Sequence, residues 1–190
     1  MNELYLEEEN FQNKDFSQEL FKTGSYELCT FTACNLADCD LSKSQFIECD
    51  FTNCDLSNVK LINTSFQDCN FENCKMLGLN FEQCEAFALS FGFKDCNLSH
   101  STFFNLNLPK TDFSGSKLHN VDFAKANLNN AIFKNCDLLN AVFQQTKLEK
   151  ADFKKAVNYS IDPENNQLKG AKFLLSEVSG LLDKYKLKIE

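Results

Sequence analysis

Large apolar residues recur at every fifth position. From Phe11 the fifths read Phe11, Phe16, Phe21, Tyr26, Phe31, Leu36, Leu41, Phe46, Phe51, Leu56, Leu61, Phe66, Phe71, Met76 and Phe81. The phase then slips by two residues. It restarts at Phe93 and runs through Leu98, Phe103, Leu108, Phe113, Leu118, Phe123, Leu128, Phe133, Leu138, Phe143, Leu148 and Phe153. The residue two before each of these centres is mostly small, as at Cys29, Cys34, Cys49, Thr64, Ser101, Ala126 and Ala151. The other three places in each pentad are mostly polar. A period of five is neither the 3.6 of a helix nor the 2 of a strand. Two inward residues in five, one large and one small, require a backbone that turns a corner every five residues, as a solenoid does.

The identity of the centres predicts the number of sides. Side chains one coil apart fill like layers best when they match. With four sides and a 20-residue coil, Phe31, Phe51 and Phe71 stack, Leu36, Leu56 and Met76 stack, and Phe46 meets Phe66. With three sides, Leu36 would meet Phe51 and Phe46 would meet Leu61. After the slip Phe and Leu alternate, which fits 20 and not 15. The chain from Phe11 to Phe153 therefore predicts about seven coils at strand spacing, a rod of roughly 35 Å.

Three segments follow. Residues 1–10 are expected to cap the N-terminal end, because Glu9, Lys14 and Glu19 break the small-residue rule before the first three centres. Residues 11–157 form the coil, with the slip near 86–93. Phe87, Phe91 and Phe104 mark a candidate contact loop there, and Gly92 suits an unusual dihedral. Residues 158–190 form a C-terminal cap and dimerisation segment. Asp162-Pro163-Glu164-Asn165-Asn166 is turn chemistry. Ser176 is expected to N-cap a short helix. Val178, Leu181, Leu182 and Tyr185 fall on one face of that helix and, with Phe173, make the expected homodimer interface.

Charge narrows the partners. The chain has 190 residues, 19 Lys and no Arg against 27 Asp and Glu, and a net charge of −8. Residues 1–92 carry −11 and residues 93–190 carry +3. An acidic chain without Arg is a poor direct binder of nucleic acid. Glu48, Asp50, Asp68 and Glu72 are expected on an acidic partner-binding face. A 43% hydrophobic composition argues against disorder, and no apolar run reaches the roughly 18 residues of a membrane span. The first ten residues lack the basic start of a secretory signal.

Little chemistry is visible. All ten Cys stand two before a centre, at Cys29, Cys34, Cys39, Cys49, Cys54, Cys69, Cys74, Cys84, Cys96 and Cys136. Spacing of five gives no zinc signature, and a small hydrophobe is the expected role. Ten buried thiols suggest a reducing cytoplasm. His100 and His119 are read as surface residues. No nucleophile motif or phosphate loop is present. The expectation is a protein that is not an enzyme, with no metal and no cofactor.

The repeat resembles the pentapeptide-repeat family. That resemblance implies an all-β fold, a right-handed quadrilateral parallel β-helix, here with a short C-terminal helix. A narrower likeness to the Qnr-type quinolone-resistance proteins and their mycobacterial relative is carried by Phe11-Gln12-Asn13-Lys14-Asp15-Phe16-Ser17, Ile161-Asp162-Pro163, Leu168, Gly170, Phe173 and Leu181-Leu182. It implies a dimer joined at its C-terminal elements. It also implies binding to DNA gyrase or topoisomerase IV as a mimic of duplex DNA. The alternative is an interaction solenoid with another protein partner.

Overall fold

The structure, a computed structural model, describes residues 4–188. The first three residues of the expected N-terminal cap, with Ile189 and Glu190 of the C-terminal segment, lie outside the described residues. Among the described residues there are nine short strands: β1 (Leu4–Glu7), β2 (Asn10–Gln12), β3 (Gly24–Glu27), β4 (Thr30–Thr32), β5 (Gln45–Ile47), β6 (Asp50–Thr52), β7 (Ser65–Gln67), β8 (Cys69–Glu72) and β9 (Phe91–Lys94). They form two parallel sheets, β1-β3-β5-β7 and β2-β4-β6-β8-β9. Up to β8 each pair is offset by 20 residues, with Phe31 opposite Phe51 and Tyr26 opposite Phe46. The other two sides, and the coils beyond residue 94, are joined by parallel bridges such as Asn35 with Asp55, Asp40 with Lys60 and Asn97 with Lys117. The tube is a parallel β-helix with four walls, as the Phe and Leu columns require. Its walls are named below by one inward residue each: the Phe46 face (the first sheet), the Phe51 face (the second), the Leu56 face and the Phe103 face.

Corners explain why the strands are so short. The residue two after most centres takes a left-handed conformation; Gln18, Thr23 and Gln83 do not. Among the described residues positive φ, from 51° to 68°, occurs at 27 residues other than Gly, and eleven of these are Asn. Asn tolerates this region better than most side chains because its short amide bonds locally to the backbone. The frequent Asn two places after a centre therefore answers to the backbone as well as to solvent, although Leu28 and Ala33 also adopt this conformation.

The core is a set of stacked rings. Phe11, Phe31, Phe51, Phe71, Phe93, Phe113, Phe133, Phe153 and Phe173 form one column, with successive centroids 4.6–5.5 Å apart and nearly parallel planes. A second column holds Phe81, Phe103, Phe123 and Phe143. Rings of the two columns meet edge to face at 5.5–6.1 Å. Offset stacks along the axis and edge contacts across it are both favoured by the ring quadrupole. Phe11 and Phe16 are only half-buried, as is Phe173, because each stands at an end of the tube.

The small residues do more than leave room. Nine of the ten thiols donate to the carbonyl of the centre one coil back, as Cys54 Sγ does to Phe31 O (3.3 Å) and Cys69 Sγ to Phe46 O (3.4 Å). Thr64, Ser101, Ser116 and Thr146 make the same bond through oxygen. The expected role of Cys as a simple small hydrophobe is thus incomplete: it is a weak donor to a buried carbonyl. Burial pushes the Cys84 and Cys136 thiols up to about 12, which keeps both protonated at neutral pH.

The slip is a two-residue insertion in one coil. Phe71 pairs with Phe93 and Asn80 with Thr102, offsets of 22, and the offset returns to 20 at Asn97 and Lys117. A 3-10 turn, Phe81–Gln83, precedes it. The regular centre on the Phe46 face is missing from this coil. Phe91 fills the space, with its ring 5.3 Å from Phe81 and 4.9 Å from Phe93. Phe91 is therefore a core residue, 6% exposed, and not part of a contact loop. Phe87 does project, at 78% exposure. Phe104 lies half-exposed on the Phe103 face, with Lys125 Nζ 5.3 Å from its ring centre.

The expected short C-terminal helix is present, in 3-10 form. Residues Leu175–Leu181 and Asp183–Tyr185 are 3-10 turns, and Ser176 does not cap them. The reason is tertiary. Tyr159 Oη donates to Glu177 O, and Ile161 N donates to Gly180 O (3.0 Å), so carbonyls that an α-helix would use internally bind the last coil instead. Gly180 is buried against Tyr159. A charged clamp holds the second turn, because Lys184 Nζ lies 2.6 Å from Asp162 Oδ1 and also bonds Glu164, which accepts from Tyr185 Oη at 2.8 Å.

The clamp predicts a pH window. Hydrogen bonds from Lys184 lower both carboxyl pKa values, and the same bonds raise that of Lys184. The carboxylate contribution is present above the ordinary carboxyl pKa of about 4 and is lost as pH falls further. The Lys184 contribution is present below about 10.4 and is lost as pH rises through its raised value. Amide exchange at Tyr185 and Lys186, corrected for intrinsic rate, should accelerate below about pH 4. Lys184→Met should already exchange fast at neutral pH. Equal protection at pH 3 and pH 7 would remove the clamp from the account.

Candidate functional site

The outer surface is read most directly by following columns one coil apart. On the Phe46 face, the left-handed corner column reads Glu8, Leu28, Glu48 and Asp68, then Lys110, Asn130 and Lys150 beyond the insertion. The column before it reads Glu7, Glu27, Ile47 and Gln67, then Pro109, Asn129, Glu149 and Lys169. On the far side of the strands stand Tyr5, Ser25, Gln45 and Ser65, then Asn107, Asn127, Lys147 and Gln167. The N-terminal half of this wall therefore holds Glu7, Glu8, Glu27, Glu48 and Asp68 with no lysine. The C-terminal half holds Lys110, Lys147, Lys150 and Lys169 with one acid, Glu149.

Four acids were expected on one face, and the structure separates them. Glu48 and Asp68 share the corner beside the Phe46 face, both exposed. Asp50 and Glu72 stand on the adjoining Phe51 face. Asp50 accepts from Asn70 Nδ2 (3.0 Å), and Glu72 is paired with Lys94 at 2.8 Å. Hydrogen bonding to Glu72 raises the Lys94 pKa. Asp68 is tied to the insertion through Ser90 Oγ (2.8 Å). Sequence reading passed over Glu7, Glu8 and Glu27, although a 20-residue read-out of charge shows them. Glu27 accepts from Tyr5 Oη (2.8 Å), which pushes the Tyr5 hydroxyl up to about 12.

The C-terminal end of the tube carries the expected interface residues. Phe173 stacks on Phe153 at 5.0 Å and is half-buried, as are Val178, Leu181 and Leu182, and Leu181 packs against the core. Tyr185 is half-exposed but engaged by Glu164, with Lys184 over its ring. Two apolar residues outside the expected set are exposed here, Leu175 at 89% and Leu187 at 59%.

His100 N donates to His119 O, and His119 Nε2 lies 2.7 Å from Asp137 Oδ2 on the Leu56 face. Burial pushes the Asp137 carboxyl up, but the Asn158 amide at 2.8 Å and His119 outweigh it and lower the pKa. Among the described residues no group of three or more His, Cys, Asp or Glu is placed to hold a metal ion. No helix among them is long and apolar enough to cross a membrane.

Comparison with known proteins agrees with this architecture. The chain resembles QnrB1, described as a plasmid-mediated fluoroquinolone resistance protein. A trypsin-treated form superposes with a TM-score of 0.64 at 17% identity, covering 96% of this chain and 99% of QnrB1. The full-length form gives 0.55 at 17% identity, with 97% and 100% covered. At this identity the likeness is one of fold. No curated protein sequence matches the chain. The pentapeptide repeat region, as a sequence family, matches residues 25–91 and 80–153, which together span more than half of the molecule, so the chain belongs to the pentapeptide-repeat family.

Proposed function

We propose that this protein binds a type II topoisomerase, DNA gyrase or topoisomerase IV, as a mimic of duplex DNA, and so contributes to fluoroquinolone resistance. The observation that carries this reading is the lysine-free acidic half of the Phe46 face. Five carboxylates over three coil steps are one per roughly 3–4 Å, near the ~3.4 Å phosphate spacing of one DNA strand. The whole-length likeness in fold to a fluoroquinolone resistance protein supports it. The C-terminal end supports a head-to-head homodimer through Phe173, Val178, Leu181, Leu182 and Tyr185, with Leu175 added.

Gyrase supercoiling in the presence of a fluoroquinolone is the test. Purified protein should restore supercoiling, and Glu27→Lys, Glu48→Lys and Asp68→Lys combined should weaken rescue at least tenfold. No rescue and no binding at micromolar concentration would reject the topoisomerase and leave an interaction solenoid with another partner. For the dimer, Leu181→Glu should give a monomer in light scattering. Leu175→Glu, at an exposed site, tests the same contact without disturbing the cap. An unchanged dimer mass in both would reject the interface.

A further inference from the structure

We propose that the Phe46 face is a self-complementary docking surface on which a second copy of this chain lies antiparallel, with the projecting Phe87 of each copy at the two-fold axis. Charge complementarity selects this partner and this direction. One end of the wall carries Glu7, Glu8, Glu27, Glu48 and Asp68, and the other carries Lys110, Lys147, Lys150 and Lys169 against Glu149. A two-fold axis perpendicular to the rod, placed at the inserted coil, brings the acidic half of each copy over the lysine half of the other: in the 20-residue register Asp68 meets Lys110 and Glu7 meets Lys169, while Glu27 meets Glu149 with Lys150 beside it. Parallel side-by-side packing would oppose like charges along the whole length. The interface is isologous and closes at two copies.

The inserted coil stands where the sign changes, between Asp68 and Lys110. Its residues 85–90 run along this wall: Glu85 N donates to Thr64 O, Ser90 N to Phe66 O, and Asp68 N to Ser90 Oγ. Phe87 stands out from this segment, with its own N–H donating to Glu85 Oε1 at 3.3 Å. Two such rings at the axis, each with the exposed Glu85 of its own copy beside it, give an apolar contact flanked by charged groups, the anatomy of a protein interface. This inference stands without the topoisomerase reading, but it uses the same carboxylates, so the two modes of docking exclude each other.

Sedimentation of the full chain carrying Leu175→Glu tests it at about 0.02 M and about 0.5 M salt, where screening lengths are roughly 20 and 4 Å. The mass increment lost on raising salt is the readout, since an apolar end-to-end contact does not produce one. The dissociation constant should rise at least tenfold with salt, and at least tenfold in Phe87→Glu at low salt. One variant makes the wall acidic throughout (Lys110→Glu, Lys147→Glu, Lys150→Glu, Lys169→Glu). Another makes it basic (Glu8→Lys, Glu27→Lys, Glu48→Lys, Asp68→Lys). Each alone should be monomeric, and an equimolar mixture should form a heterodimer. All these positions except half-buried Glu27 are exposed, and circular dichroism checks the fold. A mixture that stays monomeric, association indifferent to salt and to Phe87→Glu, or a wild-type wall that is monomeric throughout would each overturn the proposal. So would a monomer whose lysine half instead retains duplex DNA.

Discussion

Phe113→Ala is expected to lower the free energy of unfolding by about 3–5 kcal/mol. The ring is fully buried. It stacks on Phe93 at 5.5 Å and on Phe133 at 5.1 Å, and meets Phe103 and Phe123 edge to face. Truncation removes the transfer free energy of the ring and leaves a void that the coil is slow to close. Both neighbouring layers are held in place by ladders of backbone hydrogen bonds, from Phe113 N to Ile132 O and from Phe93 N to Asp112 O. Because a solenoid is stabilised by nearest-neighbour contacts, the cavity also weakens the coupling between the two halves of the rod. Urea denaturation should therefore show a lower midpoint and a broadened or split transition. A loss below about 1 kcal/mol with an unchanged slope would mean that the column relaxes around the gap, contrary to close packing of the tube.

Gly180→Ala is expected to displace the C-terminal cap, at a cost of about 2–4 kcal/mol. A Cβ at this position would lie 2.1 Å from Tyr159 O and under 3 Å from two atoms of its ring. The oxygen belongs to the backbone of the last coil and cannot swing aside. The cap must lift, which breaks the bond from Ile161 N to Gly180 O and the bond from Tyr159 Oη to Glu177 O. At about 2–4 °C per kcal/mol for a domain of this size, the melting temperature should fall by roughly 4–16 °C. Exchange of the Ile161 amide reports the lift directly. Wild-type protection of that amide in the variant would show that the cap does not press on Tyr159.

The four walls and the ring columns were legible from sequence because they depend on one quantity, the matching of bulk at a fixed spacing. Where that spacing is kept, as from Phe93 to Phe153, position in the sequence gives position in the core. Phe91 was misread because the insertion cancels the spacing locally, and which ring fills the vacated layer is settled by space. Phe87, six residues after Phe81 in the same irregular stretch, could not be told from Phe91 by pattern, yet one is exposed and the other buried. The 3-10 form of the C-terminal helix was not legible, for a different reason. Val178, Leu181, Leu182 and Tyr185 do have helical spacing, but the carbonyls of Glu177 and Gly180 are taken by the last coil. Of the acids that share the Phe46 wall, Glu48 and Asp68 are in the sequence-based set and Glu7, Glu8 and Glu27 are not. Halving the chain averages over four walls, and only a column read-out separates them.

The 20-residue register makes length a counted quantity in this molecule. Duplicating or deleting one full circuit would shift everything downstream by a single step of about 5 Å along the axis and leave every outward residue pointing as before. Duplicating one pentad would instead turn the remainder by a quarter revolution and carry Lys147, Lys150 and Lys169 onto a neighbouring wall, out of line with Glu8, Glu48 and Asp68. Insertions in multiples of twenty are therefore the ones that change reach while preserving alignment. The two extra residues between Phe81 and Phe93 are tolerated because they bulge outward and return the chain to the same wall.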